Sequence, residues 1–196
     1  MKKGHIYTAV FMIILSAVLT FALALAYESF KPAIKGHKEL AEQRAILYAL
    51  DLDNGLTDDQ VAVVTSDLIA EITLGEKMVP AHVKDDKVVA YAVPFTGSGL
   101  WGSILGYLGV TADLSETTGI VFTSQNETPG LGGRIEEEQF KGQFRGVPIG
   151  PDTELKYVKN GGEIDAVTGA TQTSDAVLRM LNAALRQDVF GGEVQE

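Results

Sequence analysis

Hydrophobic and polar positions divide this chain into two regimes. From Ile6 to Tyr27 there are 22 consecutive residues of Ile, Val, Leu, Ala, Phe and Met with a few Tyr, Thr and Ser, and no charge. As a helix this run is about 33 Å long at about 1.5 Å per residue, enough for a bilayer core. Beyond it the pattern breaks into short amphipathic segments. Leu40, Ala41, Ile46, Leu47 and Leu50 recur among charges at near-helical spacing, predicting a helix over 38–50 that Asp53-Asn54-Gly55 ends as a turn. Val61, Val64, Leu68 and Ile72 form one stripe and predict a second helix over 58–72. The runs 87–95, 106–114 and 117–124 are β-branched or aromatic, of strand length, and separated by glycine-rich or acidic turns. A short helix over 136–144, a strand over 154–159 and a final helix over 174–187 complete the prediction. The fold class expected is α+β: one transmembrane helix, then a domain with a central, mainly antiparallel sheet flanked by helices. The expected divisions are a cytoplasmic tail over 1–5, the span over 6–27, a membrane-proximal helix and linker over 28–56, and the folded domain over 57–196.

Charge sets the expected orientation. Lys2 and Lys3 are the only charged residues before Glu28, and acids dominate after it, which puts the N-terminus in the cytoplasm and the domain outside. A cleaved signal peptide is the rival, because Ala24-Leu25-Ala26 resembles a cleavage site. The run is longer than the usual apolar region of such peptides, and Lys31 follows like a water-side anchor, so retention is expected. Removing residues 1–27 takes away two lysines and no acid, moving the net charge from −10 to −12. Nucleic acid is therefore not an expected partner. Cysteine is absent, which excludes disulfides, thiolate catalysis and cysteine-bound iron–sulfur clusters within the chain. His5, His37 and His82 are scattered without metal-ligand spacing, and no nucleophile–histidine–carboxylate set can be assembled, so neither a metal site nor a catalytic residue is expected. The string Asp51 to Gly55 has its glycine one place early for a calcium loop, and Ala62 stands where the closing glutamate belongs; it is a polar turn.

Three small-residue segments carry the chemistry. Gly97-Ser-Gly99-Leu-Trp101-Gly102 matches the dinucleotide fingerprint formally, but glycine-interrupted sequence leading into a strand follows it, with no helix to receive a pyrophosphate. Asn126-Glu-Thr128-Pro-Gly130-Leu-Gly132-Gly133 is a loop of restricted geometry with an open backbone, able to approach a planar ligand or merely to turn the chain. In Asp165-Ala-Val-Thr168-Gly169-Ala170-Thr171-Gln-Thr-Ser174, small residues and a hydroxyl precede a helix start. Thr173 or Ser174 is expected to cap that helix, whose N–H groups and positive dipole end suit a phosphate beside Thr171. Taken alone, this segment also reads as a plain turn with an N-cap.

In this order, behind one N-terminal membrane helix, the three segments resemble the FMN-binding domain family: the covalently flavinylated C subunit of the sodium-translocating NADH:quinone oxidoreductase and G subunit of the Rnf complex. The Gly-Leu-Trp form at 99–101 is more like the former branch, whose typical members are longer, and both branches stay open. The resemblance implies that a magnesium-dependent flavin transferase joins FMN through its phosphate to Thr171. It implies that Thr168 orients the tether beside Gly169 and Ala170. It also implies that Glu127, Thr128, Gly130 and Leu131 line the flavin, with Thr128 and backbone groups on the polar edge of the ring and Leu131 on its face. Trp101 either packs near the ring or fills the core. The function implied is electron relay in a membrane-bound, ion-translocating complex, with an iron–sulfur subunit and a second flavin subunit as partners. The alternative from another class is an anchored extracytoplasmic binding or assembly protein that holds its ligand noncovalently.

Overall fold

The computed structural model describes residues 2–53 and 55–191, which fall into two compact units, Met1–Glu39 and Leu40–Glu196. Helix α1, Lys2–Ala49, belongs to both. In the first unit it is long and apolar enough to cross a membrane, with a mean hydropathy of 2.6 in its most apolar window and none of that window buried. In the second unit come α2 (Asp58–Leu68), strands β1 (Ile69–Leu74), β2 (Lys77–Lys84), β3 (Lys87–Ser98), β4 (Ser103–Thr111) and β5 (Thr117–Ser124), the short helix α3 (Glu138–Lys141) and the helix α4 (Thr171–Ala184).

The five strands form one sheet in sequence order, antiparallel throughout, which bears out the α+β architecture. Along β3 the side chains alternate between two cores, as strand geometry requires. Val93 and Phe95 join the main cluster with Ile104, Leu108, Ile120 and the buried face of α4, whereas Ala90 and Ala92 pack with Ile46 and Leu50 from the end of α1. Phe95, Phe122, Phe140 and Phe144 link in sequence, with neighbouring ring centroids 5.3–6.5 Å apart, and fasten α3 to the sheet.

The end of α1 is seated on a notch of glycine. Gly109 and Gly119 stand opposite each other in β4 and β5, and a Cβ on Gly109 would collide with the carbonyl oxygen of Ala49. Thr118 Oγ1 donates to that carbonyl at 2.6 Å, satisfying one of the acceptors a helix leaves open at its C-terminus. Asp51 then turns the chain with φ +59°, so the helix stops one residue short of the predicted end; of the predicted 53–55 turn, Asn54 lies outside the described residues. Tyr48 donates to Glu138 and lies beneath Lys141, 4.0 Å from its ring centroid, while Tyr107 donates to Glu42 at 3.0 Å.

Three predicted elements differ. The helix predicted over 58–72 ends at Leu68, because Ile69 to Leu74 is a strand. Gly75, at φ +59°, turns it into β2, which pairs with it from Lys77 to His82. Pro80 disguised β2 in the sequence, but it lies outside the β2–β3 register, which begins at Ala81, and so breaks no bond there. The strand predicted over 154–159 is absent. Asn182 of α4 instead donates to the Leu155 carbonyl at 3.0 Å and accepts from the Leu155 N–H at 2.8 Å, and Tyr157 makes a single bridge to Ile164 before a 3-10 turn over Val158–Asn160. The final helix begins at Thr171, three residues earlier than predicted.

Burial, followed by the bond to Glu138, pushes the Tyr48 hydroxyl up to about 12, and burial with the bond to Glu42 does the same for Tyr107; Tyr157 is raised as well, chiefly by burial. A raised folded value means that the neutral hydroxyl is favoured by folding. The stabilisation is therefore complete below about pH 10 and is lost as pH climbs toward 12. Thermal melts followed by circular dichroism should show the midpoint falling across that window. A Tyr48→Phe/Tyr107→Phe double variant should show a shallower fall, and an unchanged slope would rule these two tyrosines out as the source.

Candidate functional site

Antiparallel pairing gathers the motif segments at one end of the sheet. β3 ends where β4 begins, and the end of β5 lies beside the start of β4, as the pairs Ser98 with Ser103 and Leu105 with Ser124 record. The segment 99–102 is thus a hairpin tip, closed by Gly99 N–H donating to the Gly102 carbonyl at 2.7 Å, and it runs directly into β4 with no helix after it. The loop from Gln125 leaves β5 at the same end and enters a 3-10 turn over Gly132–Glu136.

Glu127 joins these segments to α4. Its side chain is 4% exposed. Oε1 accepts the N–H groups of Leu100 at 2.8 Å and Trp101 at 3.0 Å, and Thr173 Oγ1, itself buried, donates to Oε2 at 2.6 Å. The surrounding glycines make room for this carboxyl group. A Cβ on Gly99 would collide with Oε1, and one on Gly132 would lie 2.8 Å from Oε2 and 2.6 Å from Thr173 Oγ1. Ser174 is likewise buried and directed inward: its Oγ accepts from Val167 N–H at 3.1 Å, and its carbonyl accepts from the Tyr157 hydroxyl at 2.6 Å.

The helix start differs from expectation. Ala170 occupies the N-cap position, with no side-chain cap, and Thr171 is the first helical residue. Thr173 and Ser174 do not cap α4, because both hydroxyls are committed to the contacts just described. The N–H groups of Thr171, Gln172 and Thr173 consequently have no hydrogen-bond acceptor among the described residues. Gly169, at φ +80°, turns the chain into the helix in a conformation that suits glycine, and Leu131 Cδ2 is 3.6 Å from where its Cβ would be. Thr168, Gly169 and Thr171 are exposed, whereas Ala170 is buried. Asp175 lies beyond the first turn of α4 and pairs with Lys159 at 3.4 Å.

The expected ring-lining residues divide. Glu127 is turned inward as a brace. Thr128 and Gly130 are exposed, and the Thr128 carbonyl accepts from Leu131 N–H and Gly133 N–H within its own turn. Trp101 does not fill the core: it is 69% exposed, alongside exposures of 50% for Leu100 and 48% for Leu131. Three large apolar side chains thus stand in solvent on two of the segments that Glu127 joins. A cleft of about 230 Å³ opens beside Thr168, between Phe140 and Gln143 on one wall and Asp165 to Val167 on the other.

The family model of the FMN-binding domain matches residues 99–186, the part of the chain that holds the three segments joined by Glu127. Among individual proteins, the chain is 42% identical over 98 residues to the G subunit of the ion-translocating oxidoreductase complex of Methanosarcina acetivorans, covering 50% of each. It is 33% identical over 144 residues to the C subunit of the Na(+)-translocating NADH-quinone reductase of Pasteurella multocida, covering 68% of this chain and 55% of the relative. The chain therefore spans about half the length of these relatives. The crystal structure of the C subunit of the same type of reductase from Parabacteroides distasonis shares the fold, with a TM-score of 0.66 at 23% identity over 80% of this chain and 93% of that one. The resemblance carried by the three motifs is borne out.

Glu127→Ala should lower the unfolding free energy by about 1–3 kcal/mol, the cost of leaving the buried Thr173 hydroxyl without its acceptor. Glu127→Gln, which still accepts from Leu100 and Trp101, should lose much less. Denaturant titration of the two variants checks this, and equal losses would contradict the bracing role.

Proposed function

We propose that this chain is an electron-transfer protein with FMN in phosphoester linkage to Thr171, within a membrane-bound, ion-translocating redox complex of the Rnf or sodium-translocating NADH:quinone oxidoreductase type. The observation that carries this reading is the start of α4: an exposed hydroxyl on the first helical residue, beside three backbone N–H groups without acceptors among the described residues. Such a helix terminus suits an anion, and a phosphodiester retains one negative charge there, stabilised by about 0.3–1 kcal/mol. The exposed Leu100, Trp101 and Leu131 offer the apolar surface that a flavin ring needs. The match to the FMN-binding domain over 99–186 and the names of the relatives support the same reading.

Attachment is a group transfer. The Thr171 oxygen forms a bond to the flavin phosphorus, the anhydride bond of a flavin dinucleotide donor breaks, the nucleotide half departs, and the hydroxyl proton passes to solvent. A flavin transferase performs it. The linkage leaves the ring unmodified, and the redox chemistry belongs to the cofactor. Retention explains the value of a tether: a noncovalent flavin of nanomolar affinity is held by about 12 kcal/mol, yet once released outside the cytoplasm it has no pool to replace it. We assign residues 6–27 to the membrane and residues 57–196 to the flavin domain, with Lys2 and Lys3 holding the N-terminus inside. Electrons arrive from an iron–sulfur subunit and leave to a second flavin subunit.

Thr171→Ala, a surface change expected to shift stability by no more than about 0.5 kcal/mol, should abolish the flavin fluorescence that survives denaturing electrophoresis after co-expression with the transferase. Fluorescence persisting in that variant would move the attachment elsewhere. A wild-type chain without covalent flavin would favour a noncovalent binding protein.

A further inference from the structure

We propose that Gln143 is a positioning residue for the modification of Thr171, holding the acceptor segment 165–171 in one conformation by gripping the backbone of Asp165. The inference rests on the attachment reading above and adds to it what presents the hydroxyl.

The acceptor segment has no regular structure of its own. Between the bridge at Ile164 and the start of α4, the chain crosses six residues with neither helix nor strand. Val167 N–H donates to Ser174 Oγ, and Ala170 N–H donates to the Val167 carbonyl at 3.0 Å, so both bonds are local to the helix start. Gln143 supplies the remaining ties. Its Oε1 accepts from Asp165 N–H at 2.7 Å, and its Nε2 donates to the Asp165 carbonyl at 3.4 Å. Among the described residues these are the hydrogen bonds that connect 165–170 to an element other than α4. A side-chain amide here offers the donor and acceptor that a neighbouring strand would offer, as Asn182 does for Leu155.

The platform behind Gln143 is firm. Its Nε2 also donates to the Gln139 carbonyl at 3.1 Å, and the adjacent Phe144 and nearby Phe140 are buried in the aromatic chain of the core. The grip opens onto the cleft, where Asp165 and Thr168 face Arg134 and Glu137. The Asp165 carboxylate is exposed and has no partner among the described residues, while Val167 and Ala170 of the same segment are buried in the main core, so the segment is fixed at its helix end and presents Asp165 and Thr168 outward.

A segment that is only fractionally in its competent conformation binds its modifying enzyme more weakly by that fraction. Deleting a neutral hydrogen-bonded pair of this kind should shift the conformational balance roughly five- to tenfold. The test uses the full chain in detergent, the flavin transferase and flavin adenine dinucleotide, with initial rates of covalent labelling measured against chain concentration. Gln143→Met keeps the length of the side chain and removes both polar atoms. It should speed hydrogen exchange at the Asp165 amide roughly five- to tenfold, leave exchange in β3 and β4 unaltered, and raise KM for the chain by at most that factor at unchanged kcat. Gln143→Glu keeps the acceptor for Asp165 N–H but sets a carboxylate oxygen against the Asp165 and Gln139 carbonyls, so its KM should lie between wild type and the methionine variant. Wild-type KM, or faster labelling, in the methionine variant would mean that the transferase takes a flexible segment, and would overturn the proposal. Should the methionine variant melt early, the glutamate variant decides, since a wild-type KM there has the same force. A wild-type chain that takes no flavin, or takes it away from Thr171, overturns the attachment reading instead, and this inference with it.

Discussion

Three stretches of chain that are distant in sequence meet on the side chain of Glu127. The hairpin tip at 99–102, the loop at 127–133 and the first turn of α4 each give it a hydrogen bond or clear space for it. A buried carboxyl group is costly unless its oxygens are bonded, and here both are. The consequence is geometric. Because Thr173 is held by Glu127 and Ser174 by Val167 and Tyr157, neither hydroxyl caps the helix, and the terminal N–H groups are left for an external acceptor. The same bonds that stabilise the end of the sheet therefore keep the first-turn N–H groups of α4 uncapped among the described residues.

Much of the fold was legible because hydrophobic periodicity reports burial. The strand over 117–124 was read with its observed bounds, and β3 and β4 within a few residues, since their alternation reflects two real cores, one under α4 and one under the end of α1. The hairpin of β1 and β2 was not legible. Ile69 and Ile72 fall at helical spacing from Val61 and Val64, and Pro80 argues against a strand unless the register is known. The strand expected over 154–159 failed for a related reason: Leu155 and Tyr157 are buried in alternation, but the side-chain amide of Asn182 on α4 satisfies the Leu155 backbone, and no local pattern announces that substitution.

The site followed the same division. That the three segments belong to one site was what the family resemblance implied, and small residues and turn chemistry placed Thr171 just ahead of a helix. What each side chain does there could not. Glu127 looked like a ring contact and is a brace; Thr173 and Ser174 looked like caps and are inward anchors; Trp101 was open to either role and stands in solvent. The Glu127–Thr173 bond spans 46 residues and the bond from the Trp101 N–H to Glu127 spans 26, and spacing along one chain does not encode such pairings.

The central claim concerns a single oxygen atom. Mass spectrometry of the tryptic peptide 160–179 from protein purified from its own host addresses it directly, because that peptide holds Thr168, Thr171, Thr173 and Ser174 together. The account predicts an added mass of one FMN moiety, localised by fragmentation to Thr171. An unmodified peptide, or the added mass on any of the other three hydroxyls, would contradict it.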